Sequence, residues 1–212
     1  MTELLLIRHG VTSWNRERRF QGQTNIPLDE EGHRQARRVA AALAASRTAA
    51  VYASDLSRAW ETARPVADAL GLPLRAEPGL RERHYGAFEG RSIDELERDW
   101  AQDFARWRAR EPDFPLPGGG ESLRALQARV EAALIALARR HAGERVIAVT
   151  HGGVLDCAYR IATGLGIAEP RKHELLNASI NRIAFDEGGF RLIAWGDVAH
   201  LGRSDDDVVA RG

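Results

Sequence analysis

The chain has 212 residues, 44% hydrophobic and 28% charged, an ordinary globular composition with enough length for a sizeable core. Lys+Arg and Asp+Glu both total 30, so bulk charge gives no ground for a nucleic-acid partner. A single cysteine rules out an intramolecular disulfide and a Cys-x-x-Cys zinc site.

No stretch approaches the roughly 20 apolar residues of a membrane span. The start, MTELLLIRHG, lacks the basic segment and long apolar run of a secretory signal, so a cytoplasmic protein is expected. Leu4 to Ile7 is wholly apolar, the pattern of a strand buried on both faces. The stretch through Gln21-Gly22-Gln23 sustains no period and reads as a loop. From Asp29 to Ala45 a helix is predicted, with Ala36, Val39, Ala40 and Leu43 on one face. Ala50 to Ala53 is a second short strand. Asp55 to Leu70 is a second helix, stopped by Gly71-Leu72-Pro73.

Leu74 to Glu77 reads as a third strand and Pro78 to Gly90 as loop. Ile93 to Arg110 reads as one helix, whose Trp100, Phe104 and Trp107 suit a core better than a base-stacking platform. PDFPLPGGGES is a Pro/Gly loop of the kind that borders a site. Leu123 to His141 is a long helix, and Arg145 to Thr150 another buried strand. Gly152 to Thr163 is a helix carrying Cys157, which reads as a small buried hydrophobe rather than a reactive thiol. Arg182 to Phe185 and Phe190 to Trp195 should pair as a hairpin around Glu187-Gly188-Gly189. The polar tail GRSDDDVVARG should fray.

Strands alternate with helices, so the expected fold class is α/β: a mostly parallel central sheet with helices on both faces. No repeat or linker divides the chain. It reads as a single domain, 1–212, with residues 78–125 as a helical insertion that forms a lid. The apolar strand Phe190 to Trp195 is either a covered edge or one that pairs with a second chain, which leaves a homodimer open.

In open α/β sheets, sites form beyond the carboxyl ends of the strands. Arg8-His9-Gly10 comes after the first strand, and Ser54-Asp55-Leu56-Ser57-Arg58 after the second. Leu80-Arg81-Glu82-Arg83-His84 comes after the third, and His151-Gly152-Gly153 after RVIAVT. Two histidines, two arginines and a carboxylate thus meet at one sheet edge. Arginine forks suit phosphate oxygens, and the helix start after His151 favours an anion. A neutral His9 can attack phosphorus, while Glu82 can give and take protons. A metal fits poorly: there is no His-x-x-x-His and no carboxylate cluster, and the arginines would repel a cation. Taken singly, each piece has an ordinary reading. Arg58 can pair with Glu61 or Asp55 on a solvated face, and Glu82 can sit at the surface. The combination at equivalent strand ends favours chemistry.

These residues resemble the histidine phosphatase superfamily, also called phosphoglycerate-mutase-like. The similar segments are LLLIRHGVTSWN, RFQGQTNIPLDEEG, YASDLSRAWETA, LRERHYGAFEG, PGGES and VIAVTHGG, in the family's order; only the last sixty or so residues match weakly. The resemblance implies the family's three-layer sandwich and metal-independent, cofactor-free chemistry. It implies His9 as the phosphohistidine nucleophile and Glu82 as proton donor and acceptor, with Arg8, Arg58 and His151 holding the phosphoryl group. Asn15, Gln21 and Gly22 would touch phosphate or substrate, and Gly152 would add a backbone N–H. The family's commonest loop reads Arg-His-Gly-Glu-Thr, where this chain has Val11, so tuning rather than loss of activity is expected.

The implied activity is a phosphatase acting on small phosphorylated metabolites, with a phosphoglycerate mutase as the alternative and a non-catalytic phospho-ligand module as a third reading. The compact WRAREPDFPLPGGGES favours the phosphatase branch, whereas Glu82-Arg83-His84-Tyr85-Gly86 is worded like a mutase. Arg83 and His84 are candidate substrate contacts. Arg106, Arg108 and Arg110 are read rather as a solvated helix face.

Overall fold

The computed structural model describes residues 1–202. The expected frayed tail falls, apart from Gly202, outside the described residues. Six strands form one sheet in the order β3-β2-β4-β1-β5-β6. They are β1 (Thr2–Arg8), β2 (Ala50–Ala53), β3 (Leu74–Ala76), β4 (Arg145–Thr150), β5 (Ile180–Asp186) and β6 (Gly189–Asp197). The first four in that order are parallel, with Leu5 opposite Ile147 and Val51 opposite both Ile147 and Leu74. β5 runs antiparallel to β1, and β6 antiparallel to β5. The hairpin strands are longer than the apolar runs that predict them, because ladder pairing carries on past the last apolar residue.

The period of two along each strand divides the core. Leu4, Leu6, Tyr52, Val146 and Ala148 face one side, against α6 (Leu123–Arg140) and α7 (Gly152–Thr163). Leu5, Ile7, Val51, Ile147 and Val149 face the other, against α2 (Glu30–Leu43) and α3 (Ser57–Leu70). Each fully buried Leu, Ile or Val stabilises by roughly 1.5–3 kcal/mol. Cys157 is buried in the first of these layers, and burial pushes its thiol pKa up. The outer edge of β6 pairs with no strand among the described residues, and Phe190, Leu192 and Trp195 lean onto the α7 side.

Local sequence sets the helix starts. Asp29 caps α2 by accepting the Gly32 N–H at 2.8 Å, with Glu30 and Glu31 in the first turn, where the dipole favours acids. A four-residue helix, α1 (Ser13–Arg16), stands where a loop is predicted; it is too short to show a period and is held by a Thr12–Asn15 capping box. Gly10 and Gly32 let the turn after β1 press onto α2, since a Cβ on Gly10 would lie 2.6 Å from the Gly32 carbonyl oxygen.

Between β3 and α6 the chain builds a third, aromatic cluster from Phe88, Leu96, Phe104, Phe114 and Leu116, with Trp100 and Trp107 packed on it. The helix predicted over Ile93 to Arg110 is two: α4 (Ile93–Asp99) and α5 (Ala101–Arg108), broken at Trp100. The apolar spacing runs on through the break, so periodicity cannot reveal it. Packing Trp100 onto Phe88 decides it, with rings 6.2 Å apart.

Candidate active site

The carboxyl ends of β1, β2 and β4 open into a cavity of about 560 Å³. Nine of the eleven residues singled out from sequence line it: Arg8, His9, Asn15, Gln21, Gly22, Arg58, Glu82, Arg83 and Gly152. His151 stands immediately behind His9, fully buried, with ring centroids 5.2 Å apart. His84 is the exception. Its Nδ1 lies 3.0 Å from the Gly119 carbonyl and its ring faces Glu89, outside the cavity. Glu82, Arg83 and Tyr85 of the same run line the cavity, and His84 between them does not.

His9 follows β1 directly and is 2% exposed. Its Nδ1 lies 2.7 Å from the Gly10 carbonyl, which can only accept, so the proton sits on Nδ1 and Nε2 keeps its lone pair. Burial, then Arg58, then Arg8 hold its pKa well below 6.5, so the ring is neutral. Burial pushes the Arg8 and Arg58 guanidinium pKa values down to about 10, which leaves both charged. Arg58 does not pair with Glu61 or Asp55. It turns inward and donates to the Gly22 carbonyl at 2.6 Å and the Thr24 carbonyl at 3.0 Å, while Asp55 pairs with Arg81. Arg8 donates to the Leu175 carbonyl.

His151 caps the N-terminus of α7, with Nε2 2.8 Å from the Ser54 hydroxyl. Burial, then Arg58, His9, Arg8 and Arg129 lower its pKa well below 6.5. Among the described residues, buried polar side-chain atoms without a hydrogen-bond partner fall in two places. The first is this cavity: Arg8 Nε, Arg58 Nε, His151 Nδ1 and Gln21 Oε1. Two guanidinium donors left so, with a ring nitrogen of His151 beside a neutral His9, suit the oxygens of a phosphoryl group. No three His, Cys, Asp or Glu among the described residues come together as a metal site.

Glu82 is 8% exposed and fixed by backbone donors. Arg83 N–H reaches Oε1 at 2.8 Å, and Gly153 N–H lies 3.0 and 3.1 Å from the two oxygens. Gly152, whose N–H is expected to face the phosphoryl group, lines the cavity, and Gly153 beside it donates to Glu82. A Cβ on Gly153 would sit 2.3 Å from Glu82 Oε1, so any other residue there displaces the carboxylate. Arg129 on α6 escaped sequence reasoning. This side chain grips the Gly79 and Arg81 carbonyls at 2.9 Å and Glu121 at 2.8 Å, which holds the Glu82 loop in place. Asn177 donates to the His9 carbonyl at 2.9 Å. Thr62 accepts the Gly10 N–H at 3.0 Å and donates to the Arg58 carbonyl at 2.7 Å. None of these carries a sequence signal, because each also ties together segments tens of residues apart. Val11 is buried and donates its N–H to Gln35, away from the reacting groups.

The second place lies on the cavity wall. Asp156 takes Arg110 at 2.7 Å and Arg160 at 3.1 Å, and lies 3.1 Å from His173 Nε2. Burial would raise its pKa, but His173, Arg110 and Arg160 together hold it well below the usual carboxylate range. Arg110 therefore corrects the expected solvated face: it comes just after α5 with φ 55° and reaches across to α7, also donating to the Ile167 carbonyl at 3.1 Å. Arg106 and Arg108 are exposed, as expected, and pair with Glu111 and Glu97, though Arg108 also borders the cavity. Phe104 and Trp107 stack at 5.2 Å, the core role expected, though Trp107 also shows a face to the cavity.

A family model described as the histidine phosphatase superfamily (branch 1) matches residues 4–198. The "Phosphoglycerate mutase-like protein 4" of Arabidopsis thaliana is 39% identical, over 94% of this chain and 86% of the relative. The "Metal-independent phosphoserine phosphatase" of the same plant is 40% identical, over 95% of this chain and 84% of the relative. Among solved structures, Bacillus stearothermophilus YhfR superposes with a TM-score of 0.88 at 35% identity, covering 95% of this chain and all of that one. Among the described residues no helix is long and apolar enough to cross a membrane.

Proposed function

The chain belongs to the histidine phosphatase superfamily, and from that premise we propose that its cavity hydrolyses phosphate monoesters of small metabolites through a phosphohistidine on His9. The enzyme is a phosphoric monoester hydrolase. The observation that carries the assignment to His9 is its tautomer: Nδ1–H is committed to Gly10, and Nε2 is free beside two guanidiniums.

In the first half-reaction His9 Nε2 attacks phosphorus in line. An N–P bond forms, the bond to the leaving oxygen breaks, and Glu82 gives that oxygen a proton. Arg8, Arg58 and His151 hold the phosphoryl oxygens. In the second, a water attacks phosphorus and yields a proton to Glu82, the N–P bond breaks, and neutral His9 is restored with inorganic phosphate. General acid–base help contributes about 10²–10⁴ in rate, and donors placed in advance supply roughly 3–4 kcal/mol apiece. Loss of His9 costs more, because it removes the covalent path.

What supports residues 78–125 as a lid over one domain is the wall they give the cavity, including Tyr85, Ile93, Trp107 and Arg110. A phosphoserine-like substrate is one candidate, since a relative bears that name. A mutase is the second reading, favoured by the name of another relative and by the wording of the Glu82 to Gly86 segment.

Two assays test these readings. Turnover of p-nitrophenyl phosphate unchanged in His9→Ala sinks the nucleophile. Incubation with 3-phosphoglycerate, with and without 2,3-bisphosphoglycerate, separates the two activities: free phosphate is expected, and fast isomerisation without phosphate release overturns the hydrolase.

A further inference from the structure

Backbone strain and charge coincide at two cavity residues that the reaction does not use: Arg110, which Asp156 holds, and Arg18. Arg18 has φ 55°, a left-handed conformation that side chains adopt at a steric cost. It lies just past α1, with its N–H on the Asn15 carbonyl at 3.3 Å and the Arg19 N–H on the Trp14 carbonyl at 2.9 Å. Helix ends of this geometry are usually occupied by glycine or asparagine, which bear it with little strain. Here an arginine takes the place, and it lines the cavity.

The neighbouring arginines are engaged. Arg19 bonds Glu17, Glu95 and the Gly90 carbonyl, Arg108 bonds Glu97, and Arg110 bonds Asp156. Among the described residues no carboxylate pairs with Arg18, whose side chain is exposed. Trp14, Phe20 and Trp107 line the same cavity, with Phe20 edge-on to Trp107 at 5.0 Å. The cavity, about 560 Å³, is in the range that encloses a whole organic ligand rather than a phosphate alone.

We propose that Arg18 is a specificity-determining residue. It receives a carboxylate at the far end of a phosphate monoester whose middle lies along the wall of Trp14, Phe20 and Trp107. The substrate class is an extended, partly apolar or aromatic phosphate monoester with a terminal carboxylate. This rests on the phosphatase reading of the same cavity. Strain persists where function over-determines it, and an arginine kept where glycine or asparagine sits more easily fits that rule.

The test compares two shape-matched esters, 4-propylphenyl phosphate and 4-(2-carboxyethyl)phenyl phosphate, with the wild type, Arg18→Asn and Arg18→Lys. The wild type is expected to prefer the carboxylated ester by about fivefold in KM, the size of an exposed ion pair, and to lose that preference in high salt. Arg18→Asn removes the preference, Arg18→Lys keeps part of it, and turnover of the propyl ester stays within about twofold, since an exposed charge at the rim does not touch the reacting atoms. The Tm of Arg18→Asn holds or rises as the strain is relieved. Equal loss on both esters with a lower Tm makes Arg18 merely structural and overturns the inference. A wild type with no preference, or an unchanged preference in Arg18→Asn, also overturns it while hydrolysis stands. No turnover of either ester by the wild type instead sinks the phosphatase reading.

Discussion

Gly153 holds Glu82 from behind: its N–H lies 3.0 and 3.1 Å from the two carboxyl oxygens. The contact requires a bare Cα, because a Cβ would come within 2.3 Å of Oε1. Gly153→Ala is therefore expected to fold, since alanine suits a helix interior better than glycine does. It should nevertheless lose about 10²-fold in kcat, because the proton donor is pushed off its mark. Circular dichroism and steady-state kinetics on one preparation check both halves; wild-type kcat would refute the placement.

Removing the donor rather than moving it has a different signature. Glu82→Gln leaves the backbone contacts but has no proton to give. Esters with basic leaving groups, such as alkyl phosphates, should slow by about 10²–10⁴. For p-nitrophenyl phosphate, whose leaving group needs little protonation, the burst of p-nitrophenol should survive while steady turnover falls, because water still lacks its base. Equal slowing of the burst and of steady turnover would contradict the role.

The two buried histidines make stability depend on pH. His9 and His151 are held neutral, with pKa values well below the ordinary 6.5. Below pH 6.5 the unfolded chain takes up protons that the folded chain refuses. Their contribution is complete above pH 6.5 and is lost as the pH falls towards the lowered folded values, at up to about 1.4 kcal/mol per pH unit for each ring. Glu3, Glu121 and Asp156 are shifted down from 4.5 or 3.8, so they matter at more acid pH. Urea unfolding between pH 7 and 5 should show the slope, and His9→Ala should reduce it. With a phosphate analogue bound, the dianion favours imidazolium at His151. NMR should find this ring neutral at pH 7 in the free protein and charged in the complex; a neutral ring in the complex would refute the assignment.

Asp156 ties the insertion to the core through Arg110 and neutralises Arg160, whose side chain is wholly buried. Asp156→Ala leaves two guanidiniums without their partner, at a cost of about 3–5 kcal/mol. For a domain of this size that is a Tm drop of roughly 10 °C, readable by calorimetry. A drop of only a degree or two would show that the cluster is solvated and weak.

Residue order is enough to reveal the sheet, its helical layers and most of the groups that gather in the cavity. Short apolar runs such as Leu4 to Ile7 have one low-energy use, burial on both faces, and the residues just after each run must then gather at one edge. That is why Arg8, His9, Arg58, Glu82 and His151 are legible from the order of residues alone. Tertiary structure alone decided the rest. Which glycine braces Glu82, that Arg129 and Thr62 hold the loops around it, that His84 turns away, that Arg110 is buried on Asp156 and that Arg18 is strained all depend on contacts between distant segments. Periodicity reports which face of an element is buried, but not which partner meets it there. The neutral, Nδ1-protonated state of His9 comes from where the chain places its neighbours, and that placement is a property of the packed whole.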